Sequence, residues 1–238
     1  MLVAAAVCPC PPLLVPEVAA GAAPELDAAR AACADALGVL AAARPDLLVV
    51  VGPAEQSRAG TYAEGTPGSF RDFGVNVGVR LGTATADAPP EGALPPSLAV
   101  AAWLLERTGW ADAPIVGLAV AEPTSAERCI RMGREIAARA GRVALLVMGD
   151  ASACRTLKAP GYLDERAAPF DASVARALGS ADVPALKALD IDLARELQAA
   201  GRAPWQILAG AAEEADLAGA LLYEDAPYGV GYLVATWS

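Results

Sequence analysis

Short apolar runs alternate along the chain with longer stretches in which apolar positions return at helical spacing. This alternation predicts an α/β fold with a mostly parallel central sheet flanked by helices. Residues 2–7 read as a first strand, followed by a proline-rich turn from Cys8 to Pro16. A helix is expected over 24–43, where Leu26, Ala29, Cys33 and Leu37 share one face. The unbroken run 47–51, between Pro45 and Gly52-Pro53, has the pattern of a strand buried on both faces. Residues 54–96 are punctuated by Gly, Thr, Ser and Pro, so this stretch reads as connection with one strand or hairpin over 74–81. A helix over 97–107 and a strand over 115–121 follow, and Pro123-Thr124-Ser125 opens a helix that Gly141 stops.

The strand expected at 142–148 runs directly into Gly149-Asp150-Ala151-Ser152. This is a small polar turn at the carboxyl end of a strand, where open α/β sheets place their ligands. Residues 170–217 read as three helices, beginning near Phe170-Asp171, Val183-Pro184 and Asp190, with Trp205-Gln206 starting or continuing the last. Two further apolar β runs, 220–223 and 229–236, read as core strands that close the fold.

A chain of 238 residues suffices for one α/β domain over 1–238, and 55% hydrophobic against 19% charged residues is the composition of a core-rich globular protein. No apolar run reaches spanning length, and the opening apolar stretch has no basic leader, so it reads as a buried strand and not a signal peptide. A formal net charge of −10 opposes capture of nucleic acid or an anionic membrane, so neither is an expected partner. The cysteines, Cys8, Cys10, Cys33, Cys129 and Cys154, are odd in number and irregularly spaced, which fits a reducing cytoplasm better than a disulfide framework. Cys33 and Cys129 fall on apolar helical faces and read as core. No internal repeat, P-loop, GxGxxG or GxSxG motif is present, which lowers the expectation of nucleotide or serine-hydrolase chemistry.

The most distinctive segment is Val7-Cys8-Pro9-Cys10-Pro11-Pro12-Leu13-Leu14, directly after the first strand. It resembles the LigB-like family, the B subunits of class III extradiol dioxygenases, in which a Pro-His-Pro-Pro-Leu-Leu stretch supplies a metal ligand. Cys10 stands at the matching position. The exit of the second strand, Val51-Gly52-Pro53-Ala54, is similar to the family's Ser-Pro-His, with Ala54 in the histidine's place and Glu55 and Gln56 as neighbours. Gly149-Asp150-Ala151-Ser152-Ala153 resembles Gly-Asp-x-Ser-His, again with alanine for histidine. Tyr223-Glu224-Asp225-Ala226-Pro227-Tyr228 is similar to the closing segment that carries the last ligand, a Glu in the dioxygenases and a Cys in Memo-type relatives, and Glu224 is its counterpart. The resemblance runs almost end to end and implies the family's fold, a site at the carboxyl ends of the strands, and dimeric assembly.

The chain contains no histidine. A ring-cleaving Fe(II) centre uses two neutral imidazoles and a carboxylate, so activity as a standard extradiol dioxygenase is not expected. The expected pocket is lined by Cys10, Glu55, Asp150, Ser152, Glu224 and Tyr228. Cys10, Asp150 and Glu224 are the candidate catalytic groups, because crowded carboxylates in a half-buried cleft raise one pKa and share a proton. Glu55, Ser152, Arg155, Lys158 and Tyr228 are the candidate substrate-binding groups. No metal cofactor is expected; one that did bind would be held by Cys10 and carboxylates. Structural roles stand beside these: Asp150 and Ser152 as caps of the following turn, Cys10 as an inert thiol, and Arg155 and Lys158 paired with Asp164 and Glu165. Phe70 and Phe73 read as packing anchors.

Three functions follow from this reading. The first is binding of a small polar metabolite in a metal-free acidic cleft. The second is a metal-dependent enzyme with replaced ligands, and the third is a non-enzymatic interaction protein on the same scaffold, with a homodimer as the default assembly.

Overall fold

The chain is described by a computed structural model covering residues 1–83 and 92–238. The central sheet has seven strands in the order β3-β6-β2-β7-β1-β9-β8. Its strands are β1 (Leu2–Cys8), β2 (Leu47–Ala54), β3 (Gly60–Tyr62), β6 (Ile115–Ala121), β7 (Val143–Met148), β8 (Gly219–Asp225) and β9 (Tyr232–Trp237). The four strands β6, β2, β7 and β1 are parallel neighbours, and β3, β9 and β8 join antiparallel. The α/β, mostly parallel architecture expected from the sequence is therefore the one observed. A small second sheet pairs β4 (Pro67–Ser69) with β5 (Gly78–Arg80).

The parallel strands are apolar along their length because both faces of the sheet are covered. One face packs on α2 (Asp27–Ala42) and α3 (Pro96–Thr108), with Ala4, Ala6, Cys8, Leu48, Val50, Leu146 and Val234 pointing toward them. The opposite face, carrying Val7, Val49, Val51, Leu145, Val147 and Leu233, packs on α4 (Ala126–Ala137), α5 (Ala167–Gly179), α6 (Val183–Lys187), α7 (Ile191–Glu196) and α8 (Arg202–Ala211). A four-residue helix, α1 (Pro16–Ala19), completes the set in the proline-rich turn. Among the described residues no helix is long and apolar enough to cross a membrane.

Local chemistry explains most helix starts. The Ser125 side chain accepts from the Arg128 amide at 3.4 Å to open α4, while Asp182 and Asp190 cap α6 and α7 through the amides of Ala185 and Leu193, each at 3.0 Å. Pro96 occupies the first turn of α3, where a missing N–H costs nothing.

Several expectations need correction. The stretch 54–83 is more than connection: β3 adds to the sheet edge beside β6, and β4 and β5 cover α3, whereas the expected strand over 74–81 shrinks to Gly78–Arg80. The part of that connection over 84–91 lies outside the described residues. Residues 170–217 hold four helices, because α8 starts afresh at Arg202 after α7 ends at Glu196. The closing strands are not both core. β9 is buried throughout, but β8 is the sheet edge and is largely exposed, with Leu221 and Leu222 open to solvent.

Helices α4 and α8 approach backbone to backbone. A Cβ on Gly133 would fall on the Ile207 carbonyl oxygen, and one on Gly210 would fall on the Ile130 carbonyl oxygen. The collision is with main chain and cannot be relieved by a rotamer change. Gly210→Ala is expected to lower unfolding free energy by about 3 kcal/mol. Urea denaturation checks this, and a loss no larger than that of an exposed control such as Gly38→Ala would refute it.

Candidate functional site

The carboxyl ends of β1, β2, β6 and β7 lie at one edge of the sheet, since Cys8 pairs with Met148 and Ala54 with Ala121. Three of the segments singled out in the sequence leave the sheet here: Pro9-Cys10 after β1, Glu55 after β2 and Gly149-Asp150 after β7. The Gly149 amide donates to the Cys8 carbonyl at 3.0 Å, which closes the β1 and β7 exits onto each other. One turn further, the Cys10 amide donates to Asp150 Oδ1 at 2.8 Å. This contact joins two expected site residues that are far apart in sequence.

Asp150 is the electrostatic centre of the edge. Burial raises its carboxyl to about 7, and the Cys10 amide only partly offsets this. Among the described residues no arginine or lysine forms an ion pair with it. Its neighbours include Cys10 and the phenol of Tyr232 on β9. Burial, followed by the charge of Asp150, pushes the Cys10 thiol well up. The same is true of Cys8 through its hydrogen-bonded contact with Cys33 and its burial. Both cysteines pack on the α2–α3 face, Cys8 as the last residue of β1 and Cys10 in the turn after it, and both are neutral thiols of low nucleophilicity.

On the β2 side of Cys10 a cavity of about 290 Å³ is lined by Cys10, Pro53, Ala54, Glu55, Arg58, Pro95, Pro96 and Ser97. Its walls are mostly apolar. The Ser97 hydroxyl is spent on the Pro53 carbonyl at 2.6 Å, and Arg58 Nη2 donates to the carbonyls of Ala93 and Leu94 at 3.0 and 2.8 Å. A second, shallower hollow of about 490 Å³ lies between Thr156, Leu157, Lys158, Pro227 and Tyr228. The Tyr228 hydroxyl is buried near Glu25 without a hydrogen-bond partner among the described residues.

Other expected site residues lie elsewhere. Ser152 neither lines the cleft nor caps a turn: it is fully buried, its amide and hydroxyl donating to Asp171 Oδ1 and Oδ2 at 2.8 and 2.9 Å. Arg155 is bound to the same carboxylate at 2.9 Å, and not to Asp164 or Glu165, which leaves it committed to structure. Glu224 stands directly opposite Leu233, whose side chain belongs to the α5–α8 face, so alternation turns Glu224 away from Cys10 and Asp150. The carboxylate on the cleft side of β8 is Asp225, opposite Tyr232. Glu55 and Lys158 remain at the surface, one on each hollow.

Sequence reading passed over Asp171 and Arg58. Asp171 had a visible signal: it shares the spacing of Val174, Ala175 and Leu178, and so places a carboxylate on the apolar stripe of α5. Arg58 had none, since its position follows from the three-residue helical turn Gln56–Arg58 after β2.

The histidine-based iron centre implied by the resemblance does not fit these residues. Ala54 and Ala153 offer no donor, the Cys10 thiol is held neutral, and Glu224 lies on the opposite face of the sheet. Among the described residues no three His, Cys, Asp or Glu side chains converge as a metal site requires.

The fold has a counterpart among solved structures. The chain is similar to the uncharacterized protein JW3007 from Escherichia coli K12, with a TM-score of 0.53 and 16% identity over 99% of this chain and 100% of that one. No protein-family model and no curated protein matches it. At that identity the likeness shows the architecture alone.

Two measurements probe this edge. The Asp150 carboxyl is held above its ordinary value of 3.8, at about 7, so the folded chain binds more protons than the unfolded one between those values. Its contribution to stability is therefore complete at low pH and is lost as pH rises through about 7. The stability difference between Asp150→Asn and wild type should shift in favour of the variant by at most about 1.4 kcal/mol per pH unit across that window, then level off. A difference independent of pH would show an ordinary carboxyl. Asp171→Ala, which strands the Ser152 amide and hydroxyl and leaves Arg155 unpaired, should cost about 3 kcal/mol in the same denaturation assay. A cost below that of Arg155→Ala would show that the carboxylate is dispensable.

Proposed function

We propose that this chain is a LigB-like protein that binds a small polar metabolite in a histidine-free acidic cleft, with Asp150 as the group that exchanges a proton with the ligand. The observation that carries the reading is the placement of Asp150. It stands just past the carboxyl end of β7, with no counter-charge among the described residues, and accepts the amide of Cys10, a residue that lines a cavity of about 290 Å³. A carboxyl raised to about 7 suits general acid/base work near neutral pH, because both protonation states are populated there. Support for the family comes from the motif order in the sequence and from the meeting of Cys10, Ala54 and Asp150 at one strand edge. The buried, unbridged cysteines suit a reducing compartment such as the cytoplasm.

The donor set weakens the reading of an enzyme with replaced metal ligands, since Glu224, the counterpart of the last ligand, lies on the opposite face of the sheet from Cys10. An open, partly polar cavity likewise favours ligand binding over a purely scaffolding role.

Ala54→Trp fills the cavity and spares Cys10 and Asp150. In a screen of small amines, carboxylic acids, polyols and phenols, at least one compound should stabilise the wild type in thermal shift and calorimetry. Its Kd should rise at least about tenfold in the variant. A screen without binders, or equal binding by both proteins, would sink the cleft reading. Fe(II)-loaded protein should leave a catechol intact, and appearance of the ring-opened product would restore the iron enzyme.

A further inference from the structure

We infer that the flank formed by β8 and α5 is the surface on which a second copy of this chain docks, the two β8 strands lying antiparallel about a two-fold axis at Leu222. The inference is independent of the cleft reading and begins from the two edges of the sheet. At one edge β3 has three residues, whereas at the other β8 has seven and pairs with β9 alone. Its other main neighbours, α5 and α2, lie on its two faces, so its outer edge is open among the described residues. No residue of β8 is buried, and Leu221 and Leu222 are 37% and 42% exposed. A long open edge with apolar side chains at its middle is a template for pairing with another chain. The helix beside this edge has the same character. The exposed positions of α4 are all charged, namely Glu127, Arg128, Arg131, Arg134 and Glu135, as suits a face in water. Those of α5 are Ala168, Pro169, Ala172, Ser173 and Arg176, with a single charge. The end of α5 meets the start of β8: a Cβ on Gly179 would lie 3.2 Å from the Leu221 Cβ, and one on Gly219 would lie 2.8 Å from the Leu178 carbonyl oxygen. Helix face and strand edge therefore adjoin.

Charge selects the partner and its direction. The acids of β8, Glu224 and Asp225, are confined to its carboxyl end. Parallel apposition of two copies would set these acids against themselves. Antiparallel apposition about Leu222 sets them against the partner's Ala220 and the partner's Gly219, where no like charge meets them. Register turns Glu224 onto the α5 face, and Arg176 stands on α5 one turn before Gly179, over the start of β8. The two-fold thus brings Arg176 beside the partner's Glu224, and symmetry makes the contact twice. Neither side chain forms an ion pair within the chain among the described residues. The bulge between Leu221 and Tyr223 pins the register against slippage. Each β8 edge is used once and the far edge of each sheet is the short β3, so the assembly closes at two copies.

Analytical ultracentrifugation of the full chain over a dilution series should give twice the mass of one chain at the upper concentrations. Leu222→Lys, which sets two ammonium groups against each other at the axis, should raise the dimer Kd at least about a hundredfold. Arg176→Glu and Glu224→Arg should each raise it at least about tenfold, and the double swap Arg176→Glu/Glu224→Arg should recover most of that loss. All three positions are exposed in the single chain, and unchanged circular dichroism separates loss of assembly from loss of fold. A wild type that sediments as a monomer throughout would overturn the inference and leave the flank to a different protein. A dimer indifferent to Leu222→Lys, or single swaps that the double swap does not rescue, would overturn it as well.

Discussion

The strand-exit edge of this protein depends on one buried carboxylate, Asp171. It reaches from the second turn of α5 into the loop after β7 and takes hydrogen bonds from the Ser152 amide, the Ser152 hydroxyl and Arg155. Those contacts fix a segment that otherwise has no regular structure, and the backbone continues the task. The Ala151 amide donates to Gly231, the Gly231 amide returns to Ser152, and the Arg155 amide donates to Gly229, each at 2.8 to 3.0 Å. Gly231 is required at that point, because a Cβ there would stand 2.5 Å from Asp171 Oδ2. In the loop held this way, Asp150 accepts the Cys10 amide.

The two aspartates illustrate how environment divides roles between identical side chains. Asp171 is satisfied by donors and a cation and therefore serves as a fastener. Asp150 is part-buried and accepts one amide among the described residues, and burial holds its proton to about 7. Its position at the carboxyl ends of parallel strands is where open α/β sheets place ligands.

The frame around this edge is rigid for reasons of packing. The four parallel strands are covered on both faces, and α4 and α8 meet through Gly133 and Gly210 at a distance that excludes any side chain. Arg202, buried at the start of α8, spends its guanidinium on the Thr124 carbonyl and on Gln206, and thereby ties the exit of β6 to the same layer. A site built on strand exits in such a frame changes little in geometry when a ligand enters.

The sequence by itself determined the architecture. Short unbroken apolar runs such as Val143–Met148, bounded by glycines, read as strands buried on both faces, and the stripes and caps of α2, α4, α6 and α7 follow from local periodicity and side-chain hydrogen bonds. It also marked Cys10 and Asp150, because turn residues directly after a strand fall at the carboxyl edge whatever the topology. Tertiary structure decided the rest. Which face Glu224 and Asp225 present depends on the register of β8 against β9, which has a shift between Leu221 and Tyr223 that no local pattern announces. The burial of Ser152 and the anchoring of Arg155 depend on a carboxylate from α5, and the sheet-edge position of β8 depends on the order in which strands assemble. Periodicity is a property of neighbours in sequence, whereas counter-charges, register and edges are set by neighbours in space, and for that reason the unpaired state of Asp150 became visible only in the folded chain.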